Sequence, residues 1–244
     1  MWTQEQTFVN DEHQQIYENT KHIPGWQTAG DSNRLYEMGF RAGDVILEIG
    51  MFGGRSATVE LKGALADPER QSPPQYFGVD IEFNSVMRTL QSLTNEGLQQ
   101  HALAFHGDLE QFVSQHKIQP TMVFVDGDHR YPGVKKDLEI LSSYLVAETP
   151  VLCHDYWHPN NENGKLGVRQ AVNEFVEDGW ARMIGKSGCS ALIVTSDQCN
   201  ASETKRWSEE QFAQTRAEIL GRYISRLHQE LYRLQTKDKN PAAA

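Results

Sequence analysis

The sequence is short of cysteine and has no cluster of basic residues, and both shortages argue against whole classes of protein. Its three cysteines, Cys153, Cys189 and Cys199, form neither an even framework nor a Cys-x-x-Cys pair, so we expect reduced thiols and no disulfide scaffold or structural zinc site. Lys and Arg number 23 against 33 Asp and Glu, a formal net charge of -10. Because phosphate binding depends on clustered basic side chains, this balance argues against nucleic acid and favours a small-molecule substrate.

Long apolar runs are also missing. No stretch approaches the roughly 18 apolar residues that a membrane-spanning helix needs, and the first 15 residues have neither the basic nor the apolar region of a secretory signal. We therefore expect no membrane partner and a cytoplasmic protein. The 244 residues, 39% of them hydrophobic, are enough for one sizeable core.

Short apolar runs bounded by turn residues alternate with amphipathic stretches along most of the chain. The predicted strands are residues 45–50, 75–81, 102–108, 122–128, 150–156, 181–187 and 190–196, and the predicted helices are 55–66, 84–99, 109–116, 132–146 and 167–179. Only Gly188 and Cys189 separate the last two strands, which predicts an antiparallel hairpin at the sheet edge. The expected fold class is α/β, a Rossmann-like, doubly wound, seven-stranded sheet that is mostly parallel.

Two appendages flank this predicted domain, which we place at residues 41–200. Residues 1–40 form an N-terminal arm or lid, where an IPGW segment precedes a helix-capping signature at Asp31-Ser32. Residues 201–244 contain one long charged helix, expected over 205–237, with apolar residues at spacings of three and four: Leu220, Ile224, Leu227, Leu231 and Leu234. This helix either packs on its own domain or pairs two copies of the chain, and a role beside the substrate is a third possibility.

The first predicted strand runs into a glycine-rich turn, DVILEIGMFGGRS at residues 44–56. In open α/β sheets ligands bind beyond the carboxyl ends of the strands, and glycines there allow close approach of the backbone. A phosphate-binding loop would need Gly-Lys-Ser/Thr after the glycines, and none follows. A dinucleotide fingerprint would need glycine at 52 and 55, where the chain has Phe and Arg, so a nicotinamide-dependent oxidoreductase is kept only as an alternative.

The spacing Glu48-x-Gly50-x-Phe52-x-Gly54-x-Ser56 resembles that of class I S-adenosylmethionine-dependent methyltransferases. It is most similar to the small metal-assisted O-methyltransferases, a group that includes catechol, macrolide-sugar and cephalosporin-hydroxylase-like members, and the resemblance covers roughly residues 44–196. It implies that Glu48 contacts the methionine part of the cofactor, directly or through water, and that the glycine loop with Ser56 shapes the pocket. An acid suits this cofactor because S-adenosylmethionine carries an ammonium and a sulfonium group and no phosphate.

Acids also end the second and third predicted strands. Asp80 closes VDIE, a position from which a carboxylate accepts hydrogen bonds from both ribose hydroxyls, with helix capping as the alternative role. Gly107 and Asp108 match the family's adenine-binding position, and Asp108 can equally cap the next helix.

The densest catalytic signal lies at the ends of the fourth and fifth strands. MVFVDGDHRYPGV delivers Asp126, Asp128 and His129 within four positions, and LCHDYWHPN delivers His154 and Asp155. Such crowding is tolerated mainly where a metal or a proton transfer uses it. The resemblance implies that Asp126, which also borders the cofactor, and Asp155 hold a divalent cation.

His154 departs from the pattern, because the related enzymes place an acid there. Magnesium prefers oxygen ligands, whereas an imidazole favours manganese, iron, cobalt or zinc. The expected metal ligands are Asp126, His154 and Asp155, with magnesium or manganese as the expected ion, unless His154 turns away and the two carboxylates hold the cation together with waters and substrate. The alternatives are metal-free chemistry with His129 or His154 as general base, and a purely structural cluster.

The resulting expectation is an S-adenosylmethionine-dependent O-methyltransferase that acts on a hydroxyl of a small molecule, a sugar or a natural-product metabolite. A metal-bound hydroxyl would lose its proton to Asp128 or His129, and the alkoxide would attack the sulfonium methyl group. A homodimer or higher homo-oligomer is expected. A noncatalytic oligomerisation module is a further alternative, and the roles of Trp26, Tyr131 and Arg169 stay open.

Overall fold

A computed structural model of the chain describes residues 11–239, with side chains as far as Leu234. The chain divides into two compact units, Met1–Arg206 and Trp207–Ala244. The first ten residues of the predicted arm lie outside the described range. Within that range, no helix is both long and apolar enough to cross a membrane.

The first unit is built on a seven-stranded sheet, as the sequence predicts. Its strands are β1 (Val45–Ile49), β2 (Gln75–Asp80), β3 (Ala102–His106), β4 (Met122–Val125), β5 (Pro150–Cys153), β6 (Ala181–Ser187) and β7 (Ser190–Thr195), in the spatial order β3-β2-β1-β4-β5-β7-β6. The first five strands are parallel, and β7 runs antiparallel to both β5 and β6. The mostly parallel sheet and the antiparallel edge hairpin are both confirmed.

Every residue of β1, β4, β5 and β7 is buried. Helices cover a parallel sheet on both faces, so its strands read as continuous apolar runs rather than as alternating patterns. Strand order reverses between β1 and β4, because β2 and β3 lie on one side of β1 and the later strands on the other. A crevice for ligands opens at such a switch point.

The five helices that the sequence predicts between the strands lie within a few residues of their predicted positions, and two further helices precede the sheet. They are α1 (Asp11–Asn19), α2 (Ala29–Ala42), α3 (Arg55–Ala66), α4 (Phe83–Asn95), α5 (Leu109–Gln115), α6 (Tyr131–Tyr144) and α7 (Val168–Glu177). The start of α2 differs from the expectation, since Thr28 and not Asp31-Ser32 is its N-cap. Asp31 completes a capping box by accepting from the Thr28 backbone N–H, while the Thr28 side chain accepts from the Asp31 N–H.

The second unit consists mainly of α8 (Glu209–Lys239), the predicted long helix. Several of its apolar side chains face solvent, including Ile224 and Leu231, each 55% exposed.

Candidate active site

A cavity of about 900 Å³ opens at the carboxyl ends of the parallel strands. Its walls come from the glycine loop after β1, from the ends of β2, β3, β4 and β5, and from residues 24–27 that precede α2. The predicted site residues that line it are Gly50, Phe52, Ser56, Asp80, Asp108, Asp126, Asp128, His129, His154 and Asp155. Glu48 and Gly54 are not among the residues that line it.

The glycine loop takes a left-handed backbone conformation at three alternate positions. Gly50, Phe52 and Gly54 have φ angles of +89°, +46° and +84°. A Cβ atom at Gly50 would collide with the Asp126 carbonyl, so only glycine fits there. Phe52 has a left-handed backbone conformation that residues with side chains rarely adopt, a form of strain that clusters at ligand sites, and the residue is 55% exposed beside the cavity.

Glu48 lies beneath the floor of the cavity. Its carboxyl group is fully buried and accepts hydrogen bonds from the Ser56 and Tyr76 hydroxyls. Burial raises the pKa of Glu48 to about 8, against the two hydrogen bonds that lower it. Ser56 lines the cavity and binds Glu48, so its side chain lies between the Glu48 carboxyl group and the cavity. The fully buried Glu60 carboxyl also has a raised pKa, because of burial and the nearby Glu48.

Asp80 secures the glycine loop. One of its oxygens accepts from the Met51 and Phe52 backbone N–H groups at 3.0 and 3.2 Å, and the other accepts from Glu82 N–H at 2.8 Å. Helix α4 begins after Glu82, so Asp80 does not cap it. At the end of β3, Asp108 does cap α5 through a capping box with Gln111 and also lines the cavity, so it is available for both of its predicted roles.

The ends of β4 and β5 bring two carboxylates and two imidazoles together. His129 Nδ1 is hydrogen-bonded to Asp155 Oδ2 at 2.7 Å, and His129 Nε2 is 3.3 Å from Asp126 Oδ1. His154 Nδ1 is 2.8 Å from the same Asp126 oxygen, an ion-pair contact without hydrogen-bond alignment. Asp155 has a left-handed φ of +57°, so its backbone is strained where it enters this group.

The carboxylates raise the pKa of both imidazoles. Hydrogen bonds to Asp126 and Asp155 raise the pKa of His129 to about 10. Burial lowers the pKa of His154, but the charges of Asp126, Asp31 and Asp155 outweigh it and raise that pKa to about 9. The pKa values of Asp126 and Asp155 are lowered, because the histidines outweigh the desolvation that opposes ionisation. Two imidazolium and two carboxylate groups thus neutralise one another in the free protein near pH 7.

The predicted metal site does not fit a cation as these residues stand. In the described part of the chain, no group of three or more His, Cys, Asp or Glu side chains is arranged to hold a metal ion. The donor atoms of Asp126, His154 and Asp155 face imidazole nitrogens or one another instead of a common point. A cation would have to displace these pairings and deprotonate His154.

The two predicted bases differ in their surroundings. Asp128 is bound to Arg130, with its Oδ2 2.7 Å from Nη2, and that guanidinium lowers the pKa of the carboxyl. A carboxylate so stabilised is a weak base. His129 is the stronger one, and Asp155 fixes its ring orientation through Nδ1.

The structure distinguishes three residues whose roles the sequence left open, because only one of them lines the cavity. Tyr131 donates to Glu174 at 2.6 Å and does not line the cavity. Arg169 donates to the Tyr156 carbonyl at 3.2 Å and holds the loop after β5, also outside the lining. Trp26 does line the cavity, together with the neighbouring Gln27, which the sequence analysis missed. The Pro-Gly pair before Trp26 was the signal for an ordered turn there.

Comparisons with known proteins agree with this geometry. A family model described as a methyltransferase domain matches residues 47–156, which include the glycine loop and the His-Asp pair after β5. Among curated protein sequences, none matches this chain.

Solved structures share the fold at low sequence identity. One of them is TomG, an O-methyltransferase from Streptomyces achromogenes that is involved in tomaymycin synthesis and was solved with S-adenosylmethionine. The match to TomG has a TM-score of 0.58 and 16% sequence identity, and it covers 78% of this chain and 92% of the TomG chain. An O-methyltransferase from Bacillus cereus, solved with S-adenosylhomocysteine, has a TM-score of 0.58 and 13% identity over 78% and 93% of the two chains. A putative caffeoyl-CoA O-methyltransferase from Staphylococcus aureus has a TM-score of 0.58 and 14% identity over 77% and 93%. The matched methyltransferase domain, the switch-point cavity and the glycine loop make this chain similar to the class I S-adenosylmethionine-dependent methyltransferases, and the solved structures show that it shares their fold.

Proposed function

We propose that the protein transfers the methyl group of S-adenosylmethionine to a hydroxyl of a small molecule, a sugar or a natural-product metabolite, with His129 as general base. The observation that carries this proposal is the Asp155–His129 pair beside the glycine loop. Asp155 holds Nδ1 at 2.7 Å, and Nε2, which lies 3.3 Å from Asp126 Oδ1 in the free protein, is the nitrogen that takes the acceptor proton once it turns from Asp126 to the acceptor. The names of the structural relatives, O-methyltransferases, suggest oxygen as the acceptor atom.

The reaction then needs few steps. The acceptor hydroxyl gives its proton to the neutral Nε2 of His129, and its oxygen attacks the methyl carbon as the bond to sulfur breaks. The products are a methyl ether, S-adenosylhomocysteine and an imidazolium that Asp126 and Asp155 stabilise. Since the free protein holds His129 protonated near neutrality, a proton must leave before each turnover. Most of the rate gain comes from alignment of oxygen, carbon and sulfur, an effect of up to about 7 to 11 kcal/mol.

The divalent cation stays a prediction of the family resemblance. Asp126, His154 and Asp155 are the residues that the resemblance assigns to it, yet their present pairing does not accommodate an ion. No step above passes through a metal.

The first experiment is calorimetric titration with S-adenosylmethionine, with NAD as the control ligand, in chelator and again with magnesium or manganese. We expect micromolar binding of S-adenosylmethionine in chelator and none of NAD. Binding of NAD alone would move the protein to the oxidoreductases. Binding of the metal by itself, lost in Asp126→Asn, would show that the His-Asp group opens to admit an ion.

The second experiment measures methyl transfer to a panel of hydroxylated rings by release of S-adenosylhomocysteine. His129→Asn should keep cofactor affinity and lose about 10² to 10⁴ in kcat, the usual contribution of a general base. His228→Asn, an exposed histidine of α8, is the matched control and should turn over normally. Normal turnover by His129→Asn would refute the assignment of the base.

A further inference from the structure

Two glutamates are fully buried beneath the floor of the cavity. Glu48 lies in β1 and Glu60 lies in α3, and neither side chain is exposed to solvent. The methyl-transfer steps above use neither of them. A buried carboxyl group is stable when it is paired with a cation, well supplied with hydrogen-bond donors, or protonated. The surroundings of the two glutamates decide between these three states.

Glu48 is surrounded by neutral and acidic groups. Its carboxyl oxygens accept hydrogen bonds from the Ser56 and Tyr76 hydroxyls, which carry no charge. Asp80 on β2 and Asp126 on β4 also act on it electrostatically, and both are acids. Burial and these two acids raise the pKa of Glu48 to about 8, because they outweigh the two hydrogen bonds. Glu48 is therefore mostly protonated in the free protein near pH 7.

Glu60 is more isolated than Glu48. Neither of its carboxyl oxygens has a hydrogen-bond partner among the described residues. Helix α2 closes this side of α3, since a Cβ atom at Gly39 would lie 2.2 Å from the Glu60 carbonyl, and the buried Arg34 of α2 is bound to Glu37, with Nη1 2.5 Å from Oε2. Burial and the charge of Glu48 raise the pKa of Glu60 well above its ordinary value, so Glu60 is protonated as well.

Ser56 connects the two acids to the cavity. It lines the cavity and donates to Glu48, and it lies one helical turn before Glu60 on the same face of α3. A positively charged group beside Ser56 favours the ionised form of Glu48, because opposite charges attract strongly in a buried site. S-adenosylmethionine carries two such groups, an ammonium and a sulfonium. Binding of this cofactor and loss of the Glu48 proton are therefore coupled.

We propose that S-adenosylmethionine binding releases one proton from Glu48, and that Glu60 is a positioning residue that stabilises the carboxylate so formed. The Glu48 proton passes through the Ser56 hydroxyl to water in the cavity. Glu60 keeps its own proton and turns it to the ionised Glu48, which supplies the hydrogen-bond partner that Glu60 lacks among the described residues. This inference rests on the proposed function, since it assumes that the cavity binds this cofactor.

The test counts protons by calorimetric titration with S-adenosylmethionine in buffers of different ionisation enthalpy. At pH 7 the wild type should release about 0.5 to 1 proton per bound cofactor, and the release should fall toward zero at pH 9, where Glu48 is already ionised. Glu48→Gln should bind without this release. The difference between the two proteins cancels the protons that the cofactor amine and the histidines exchange. If Glu48→Gln binds too weakly to titrate, the fall between pH 7 and 9 carries the test.

Two variants of Glu60 separate its hydrogen bond from its bulk. Glu60→Gln keeps a donor of similar length and should match the wild type in affinity and proton release. Glu60→Leu lacks the donor and should bind the cofactor about tenfold more weakly at pH 7. Its urea midpoint should not fall, because the change removes a buried carboxyl group without a partner among the described residues. If Glu60→Leu fails to fold, Glu60→Met replaces it. Glu69→Gln, an exposed acid after α3, is the matched control and should equal the wild type.

The outcomes distinguish this inference from the proposed function. No binding of S-adenosylmethionine by the wild type would overturn the proposed function. Binding with a release below about 0.2 proton at pH 7, or with an equal release from Glu48→Gln, would overturn the proton linkage alone. Equal affinities of Glu60→Leu and Glu60→Gln for the cofactor would overturn the positioning role of Glu60.

Discussion

Replacement of Asp31 by alanine should destabilise the protein severely. The carboxylate is fully buried and accepts from three backbone N–H groups, those of Thr28, Cys189 and Ser190, and from the hydroxyls of Thr28 and Ser190. It joins segments that are 158 residues apart in the chain. Asp31→Ala removes every one of these acceptors at once and leaves a small space in their place.

The magnitude follows from the groups left without a partner. The two hydroxyls can rotate toward other acceptors, but the three N–H groups are fixed by the backbone. A buried donor left unsatisfied costs about 1 to 3 kcal/mol, so the buried N–H groups of Cys189 and Ser190 at about 1.5 kcal/mol each and the half-buried Thr28 N–H at about 1 kcal/mol or more give a loss of about 4 to 5 kcal/mol. Asp31→Asn keeps one carbonyl oxygen and should lose about half as much.

The assay is urea unfolding followed by tryptophan fluorescence. With a slope of about 3 kcal/mol per molar urea, the midpoint of Asp31→Ala should fall by about 1.5 M. Asp197→Ala, an exposed acid, is the matched control and should stay within about 0.5 kcal/mol of the wild type. A loss below 1 kcal/mol for Asp31→Ala would refute the count of hydrogen bonds that Asp31 accepts.

Three further predictions concern pH and assembly. Because the conjugate acid of His129 has a raised pKa of about 10, kcat/KM should rise with pH up to that value. Asp155→Asn should move this rise to lower pH, because it removes one of the carboxylates that raise the pKa. A profile that is flat above pH 7 would contradict the assignment of His129 as the general base. The pKa of Glu48 is about 8 in the folded protein and near 4.5 when exposed, so its protonated form stabilises the fold fully below pH 4.5, and this contribution is lost as the pH rises to 8. Glu48→Gln should therefore flatten the pH dependence of the urea midpoint between pH 4.5 and 8. An unchanged slope in the variant would count against the raised pKa of Glu48. We also propose that α8 pairs two copies of the chain through its exposed apolar side chains, which include Ile224 and Leu231. In sedimentation equilibrium the wild type should be dimeric and the double variant Ile224→Ser, Leu231→Ser monomeric. A monomeric wild type would refute the pairing.

The sequence predicted most of the fold because its signals are local. Apolar runs of four to seven residues such as VILEI and SALIVT mark buried strands wherever they occur, and each is a strand in the structure. Glycines at 50 and 54 marked the turn after β1, where the backbone is left-handed. The start of α2 was misplaced because Thr28 and Asp31 are both capping residue types, and only the backbone geometry distinguishes the cap from its capping-box partner.

The candidate site was predictable as a set of residues but not as an arrangement. Strand ends of a parallel sheet meet at one edge, so the acids and histidines after β4 and β5 had to be neighbours. The pairing of individual donor and acceptor atoms depends on differences of tenths of an ångström that no sequence pattern records. The pattern suggested a bound cation, whereas in the structure the imidazoles of His129 and His154 contact the carboxylates of Asp155 and Asp126. Glu48 belongs to the recognisable motif, yet its side chain turns under the floor toward Tyr76 on the neighbouring strand.

The sequence by itself determined the order of strands and helices along the chain, the glycine-rich turn after β1 and the identity of the acids and histidines after β4 and β5, since all of these depend on neighbours a few residues away. Only the tertiary structure decided that Asp31 binds Cys189 and Ser190, that Asp155 orients His129 and that Trp26 and Gln27 face the cavity. The physical reason is that burial and long-range hydrogen bonds depend on how the elements pack. Asp31 accepts hydrogen bonds from backbone groups more than 150 positions away, and no local pattern records these contacts.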